Sequence, residues 1–131
     1  MLLTYFVTHD RLTSAIIIDD DRDTVDVFVD YMEILNVNVL ARGYGGKDAV
    51  ELYERYRPDI VFLDLMMADY DGFYALERIR KINPDAKVII VTADLRRDSE
   101  LRLSELKPTE VLFKPFAPEL LEEIVKKYKS A

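Results

Sequence analysis

From residue 15 onward, short and continuously apolar runs alternate with segments whose apolar residues recur every three or four positions. Four of the runs end on residues that can do chemistry. Ala15-Ile16-Ile17-Ile18 meets Asp19-Asp20-Asp21, and Asp59-Ile60-Val61-Phe62-Leu63 meets Asp64. Val88-Ile89-Ile90-Val91 meets Thr92, and Val111-Leu112-Phe113 meets Lys114-Pro115. Runs of this kind suit strands buried on both faces, as in a parallel sheet covered by helices on each side. Such sheets gather their chemistry outside the carboxyl ends of the strands, which here would carry carboxylates, a hydroxyl and an ammonium.

The periodic segments supply the helices. Val25, Phe28, Val29, Met32 and Leu35 predict the first. A strand over 37–41 and a turn at Gly43-Tyr44-Gly45-Gly46 follow. The next helix, over 47–56, turns Ala49, Leu52, Tyr53 and Tyr56 inward and is closed off by Pro58. After Asp64 come an irregular loop to Gly72, a helix carrying Phe73, Leu76 and Ile79, and a turn at Asn83-Pro84-Asp85. A charged helix over 95–106 precedes the last strand, and the final helix has Leu120, Leu121, Ile124, Val125 and Tyr128 as its stripe. With right-handed crossovers this alternation predicts an α/β fold: a flavodoxin-like, doubly wound parallel sheet of five strands, order 2-1-3-4-5, with five helices. Residues 1–14 stand outside the alternation as an N-terminal extension, and 15–131 form one domain. His9, the only histidine, lies in the extension and is read as exposed.

Composition narrows the function. With 131 residues, half of them apolar, one core is expected. A net charge of −7 disfavours phosphate backbones and anionic lipid, leaving proteins or cations as partners, with no nucleic acid and no membrane. The absence of cysteine removes disulfide and thiolate chemistry. The apolar opening Met1-Leu2-Leu3-Thr4-Tyr5-Phe6-Val7 lacks a basic leader and a cleavage site, and no run approaches the roughly 18 apolar residues of a membrane helix. A cytoplasmic protein is expected.

In the order 2-1-3-4-5, strands 1 and 3 are neighbours and a crevice opens between them. Asp19 and Asp20 would then lie beside Asp64. Carboxylates so close repel one another unless a cation intervenes, and an all-oxygen cluster without His or Cys suits Mg²⁺. Magnesium held by carboxylates commonly shares a phosphoryl oxygen. An aspartate can be the nucleophile toward phosphorus, with the Lys114 ammonium and the Thr92 hydroxyl facing the transferred oxygens. Asp21 is read as a helix cap. Gly43-Tyr44-Gly45-Gly46-Lys47 lacks the P-loop spacing and is read as a plain turn.

These residues carry a resemblance. Ile17-Ile18-Asp19-Asp20-Asp21, Asp64-Leu65-Met66-Met67-Ala68-Asp69-Tyr70-Asp71-Gly72, Val91-Thr92-Ala93 and Lys114-Pro115-Phe116 resemble, in this order, the receiver domains of two-component response regulators, especially the single-domain chemotaxis type. The resemblance spans 15–131. It implies a phosphoacceptor at Asp64, a Mg²⁺ site of Asp19, Asp20, Asp64 and the main-chain carbonyl of Met66, a switch hydroxyl at Thr92, a phosphate-pairing Lys114, and a cis Lys114-Pro115 bond. It further implies a stand-alone regulator that takes its phosphoryl group from a histidine kinase or phosphotransfer protein and acts on a downstream protein target. Such a chain phosphorylates and dephosphorylates itself rather than turning over a substrate, as a monomer or a phosphorylation-dependent homodimer.

Two departures qualify the resemblance. Ala68 stands where a proline is common, implying a looser loop after Asp64, and Val111 stands where an aromatic usually transmits the signal. A degenerate receiver serving as a constitutive protein-binding module is therefore the alternative. An aspartate-nucleophile phosphatase fits less well, because it needs a second acid at the position of Met66. Arg96, Arg97 and Arg102 mark either a partner surface or a salt-bridged face.

Overall fold

The computed structural model describes residues 12–94 and 96–129. Five parallel strands, β1 (Ser14–Ile18), β2 (Asn38–Gly43), β3 (Ile60–Asp64), β4 (Val88–Thr92) and β5 (Glu110–Phe113), lie in the order β2-β1-β3-β4-β5. The intervening helices are α1 (Arg22–Ile34), α2 (Gly46–Tyr56), α3 (Gly72–Ile82), α4 (Arg97–Leu106) and α5 (Pro118–Tyr128). Sheet order and helix number are those expected from the sequence.

Every residue of β1, β3 and β4 is buried, which is why these strands read as unbroken apolar runs. Strand side chains alternate between faces and so divide the interior in two. Ile16, Ile18, Val61, Leu63, Val88 and Ile90 pack with Tyr53 of α2, Leu76 and Ile79 of α3 and Leu103 of α4. Ala15, Ile17, Ile60, Phe62, Ile89 and Val91 pack with Val25, Phe28 and Met32 of α1 and Leu121 and Ile124 of α5. Each fully buried Leu, Ile or Phe contributes about 1.5–3 kcal/mol, so the sheet that carries the site rests on two substantial cores.

Caps fix where the helices begin. Asp21 accepts hydrogen bonds from the Asp23 N–H and the Thr24 hydroxyl at the start of α1, as the sequence suggested. Asp71 does the same for the Tyr74 N–H of α3.

Several boundaries differ from expectation. Asn36 adopts a left-handed conformation (φ 61°) and the Val37 N–H bonds to the Met32 carbonyl. Val37 thereby closes α1, and β2 begins one residue later. At its other end β2 runs on through Gly43, pairing with Ile18. β1 begins at Ser14, one residue earlier than expected, and the Ser14 N–H and hydroxyl reach Asp59. Residues 1–11, His9 included, lie outside the described residues. The charged helix starts at Arg97 rather than 95, and Leu95 is also outside the described residues. Tyr56 and Leu120, expected inward, are 39% and 46% exposed. Both sit in terminal turns, and Leu121 rather than Leu120 reaches the sheet. No helix among the described residues is long and apolar enough to cross a membrane.

Candidate functional site

The register of the sheet lines up the carboxyl ends of four strands. Ile18 pairs with Leu63, Asp64 with Val91 and Thr92 with Phe113, so the residues that follow or end these strands share one edge. Asp19, Asp20, Asp64, Thr92 and Lys114 are all brought there. Asp19, Asp20 and Asp64 each offer a carboxylate oxygen within 4.8 Å of the others. The Lys114 ammonium lies 2.8 Å from Asp19 Oδ2 and 3.8 Å from Asp64 Oδ1. The second oxygen of Asp19 accepts the Asp21 N–H at 3.0 Å. Asp20 is exposed, and its Oδ2 accepts the Ala68 N–H at 3.1 Å. This donor set contains oxygen alone, which fits a hard cation such as Mg²⁺.

Asp64 is buried at the centre of the cluster. Burial, and after it the charge of Asp19, push its carboxyl up to about 6, while Lys114 and the N–H groups of Leu65 and Met66 act in the opposite direction. A carboxyl raised in this way adds stability below its unfolded pKa and loses that contribution as pH rises through about 6. Without metal, Asp64→Asn is therefore expected to be more stable than the parent by about 1–2 kcal/mol at pH 8, after allowing for solvent screening, and to lose this advantage near pH 4. Urea unfolding in EDTA at the two pH values measures the difference.

Thr92 is fully buried, and its hydroxyl accepts the Asp94 N–H at 2.9 Å. The Asp94 carboxylate in turn takes the Arg96 N–H at 3.0 Å, Arg96 Nε at 2.9 Å, Arg96 Nη2 at 3.1 Å and the Ser99 hydroxyl. Hydrogen bonds from Arg96 and then Ser99 hold this carboxyl well below the usual range. Arg96 Nη2 also lies 3.6 Å from Met66 Sδ. An open cavity of about 400 Å³ separates Asp64, Met66 and Lys114 from Ala93, Asp94 and Arg96. Another, about 450 Å³, approaches Asp64 and Lys114 from the side of α1 and is lined by Val27, Phe28 and Phe116 among others. Asp64 thus borders both cavities.

Sequence reasoning did not single out Asp94. Its one local signal was its place two residues after Thr92, immediately before a helix. Of the three arginines, Arg96 is engaged by Asp94 and Arg102 lies 3.8 Å over the Phe73 ring. The Lys114-Pro115 bond is cis, as the resemblance implied.

The loop after Asp64 is tied at both flanks, and Ala68 adds a further bond. The Gly72 N–H bonds to the Leu65 carbonyl at 2.9 Å, and the Gly46 N–H reaches the carbonyls of Asp69 at 3.2 Å and Tyr70 at 2.5 Å. An alanine N–H, which proline lacks, makes the bond to Asp20 possible. At β5 the expected alternation holds: Leu112 is buried in the second core, Val111 packs against the first, and Phe113 is 49% exposed.

Comparison with known proteins now bears on this geometry. A family model described as "Response regulator receiver domain" matches residues 15–126. The chemotaxis protein CheY of Thermotoga maritima is 29% identical over 113 residues, covering 86% of this chain and 94% of that protein. A DNA-binding response regulator of the LuxR family from Staphylococcus aureus superposes with a TM-score of 0.83 at 31% identity, over 91% of this chain and all of that one. The BeF3-activated DrrB receiver domain gives 0.78 at 25% identity, over 90% of this chain and 97% of that one. Some curated relatives are longer: the chain spans 51% of the probable C4-dicarboxylate response regulator DctR of Bacillus subtilis.

Proposed function

The chain belongs to the response regulator receiver domain family, and we propose that within it the chain is a phosphorylation-dependent switch with Asp64 as phosphoacceptor. The observation that carries this reading is the company Asp64 keeps: a buried carboxylate with two others within 4.8 Å and an ammonium at 3.8 Å. A merely solvated acidic strand end would not need the lysine and the buried threonine as well.

In this mechanism Asp19, Asp20, Asp64 and the Met66 carbonyl would hold Mg²⁺, which when bound would neutralise charge on the phosphoryl oxygens. An Asp64 carboxylate oxygen attacks the phosphorus of a phosphohistidine. The P–N bond breaks, its electron pair returns to the imidazole nitrogen, and a new P–O bond forms on Asp64. Attack needs the ionised carboxylate, a form that Lys114 already favours against burial and that bound Mg²⁺ would favour further. Lys114, now on Asp19, is close enough to turn toward a phosphoryl oxygen, and Thr92 donates to another once its hydroxyl reorients. The phosphodonor is a histidine kinase or phosphotransfer protein, and the output is a change in affinity for a downstream protein.

Beryllofluoride, which stands in for the phosphoryl group, tests the reading. With Mg²⁺ it should shift the amide resonances of 64–68, 92–94 and 114 in the parent and leave Asp64→Asn unchanged. Equal responses would contradict the assignment. Lys114→Ala should still bind Mg²⁺, since the ammonium competes with the cation for Asp19, yet show a weakened response in α4 to beryllofluoride. An undiminished response would remove Lys114 from this role.

A further inference from the structure

The glycine pair at the start of α2 has no part in the chemistry above, yet its surroundings leave little room for another residue. A Cβ on Gly46 would stand 2.1 Å from the Tyr70 carbonyl oxygen and 2.6 Å from that of Asp71, and one on Gly45 would stand 2.9 Å from the Asp69 oxygen. Neither glycine has a positive φ, so close approach and not backbone freedom explains both. What approaches is the loop between β3 and α3. Its Asp69 and Tyr70 carbonyls both reach the Gly46 N–H, and Tyr70 is in the left-handed region (φ 50°), where a bulky residue seldom stays without support.

The same loop carries Met66 and the Ala68 N–H that holds Asp20. Asp20 is exposed and faces two like charges, so without that bond its side chain would be free to swing into solvent. With one oxygen on Ala68, the carboxylate stays in the cluster. A continuous path therefore runs from the α2 N-terminus through the carbonyls of residues 69–70 to the Ala68 N–H and the Asp20 carboxylate.

We propose that Gly45 and Gly46 are positioning residues for the cation site: they let the loop seat on the α2 N-terminus, and that seating keeps Asp20 and the Met66 backbone in place for Mg²⁺. The inference rests on the reading of Asp19, Asp20, Asp64 and Met66 as a Mg²⁺ site. It gives this chain a brace where its relatives commonly have a proline, and it makes cation affinity depend on a turn that touches no cation.

The test is calorimetric titration of the full chain with MgCl₂ alone, for the parent, Gly45→Ala, Gly46→Ala and the surface control Glu54→Ala. Hydrogen exchange of the Ala68 amide and thermal unfolding in EDTA accompany it. Loss of a supporting contact around a metal site costs on the order of 10-fold in affinity. Gly46→Ala should weaken Mg²⁺ binding by about that factor, Gly45→Ala by less, and both should speed exchange at Ala68, with the control unchanged. A merely structural role would lower the melting temperature and leave the Mg²⁺ affinity of the folded protein intact. If Gly46→Ala fails to fold, Gly45→Ala decides. Affinity and Ala68 exchange equal to the parent in the folded variants would overturn the proposal. Absence of Mg²⁺ binding by the parent itself would instead overturn the cation site and the inference with it.

Discussion

Excess EDTA is expected to abolish phosphoryl uptake from acetyl phosphate, and Mg²⁺ to restore it. Electrostatic stabilisation by a single preorganised group is commonly worth 10²–10³ in rate, and the cation here would be the main positive charge facing the transferred oxygens. Lys114 cannot replace it alone, because its ammonium already lies 2.8 Å from Asp19 and 3.8 Å from Asp64. A fall of at least about 100-fold in the initial rate of phosphorylation, read by intact-protein mass spectrometry, is therefore the expected result. Equal rates with and without the metal would leave the Asp19, Asp20 and Asp64 cluster without its assigned role.

The second large effect concerns transmission. Val111 is too short to exchange between buried and exposed positions as an aromatic would, so the signal must leave the site by another route. Thr92 supplies one. Its hydroxyl accepts the Asp94 N–H, and the Asp94 carboxylate anchors the start of α4 through Arg96 and Ser99. On the proposed reading, drawing the Thr92 hydroxyl toward Asp64 would disturb this anchor and bias a two-state equilibrium of α4. Thr92→Val keeps the shape and removes the hydroxyl. It should accept beryllofluoride but lose the resonance shifts in α4, along with a coupling on the order of 1–3 kcal/mol, or about 5–150-fold in partner affinity. Val111→Ala, by contrast, should cost little switching. Shifts that reach α4 undiminished in Thr92→Val would rule out this route.

The parts of the molecule that could be read from sequence are those set by burial alone. β1, β3 and β4 announce themselves because both faces of each are covered, and once they are parallel neighbours Asp19, Asp64 and Thr92 must share an edge. Asp21 was legible as a cap because capping is a local act. The features that the sequence left unread depend mostly on where distant segments land. The glycines at 45 and 46 look like an ordinary turn until the loop from β3 comes to rest on them. Ala68 looks like a loss of rigidity until its N–H is seen on Asp20. Asp94 is a local exception: three groups of Arg96 and the hydroxyl of Ser99, two and five residues on, converge on it, yet no apolar pattern marks it. Arg80 is similar: its guanidinium holds the carbonyls of Ala86 and Lys107, contacts that no pattern along the chain encodes.

The central claim is that Asp64 is the residue that carries the phosphoryl group. Mapping the modified residue tests it most directly: the parent and Asp64→Asn are incubated with acetyl phosphate and Mg²⁺, trapped by borohydride reduction, digested and sequenced by mass spectrometry. The account predicts a reduced residue at position 64 in the parent and no modification in Asp64→Asn; label at another carboxylate, or undiminished uptake in Asp64→Asn, would contradict it.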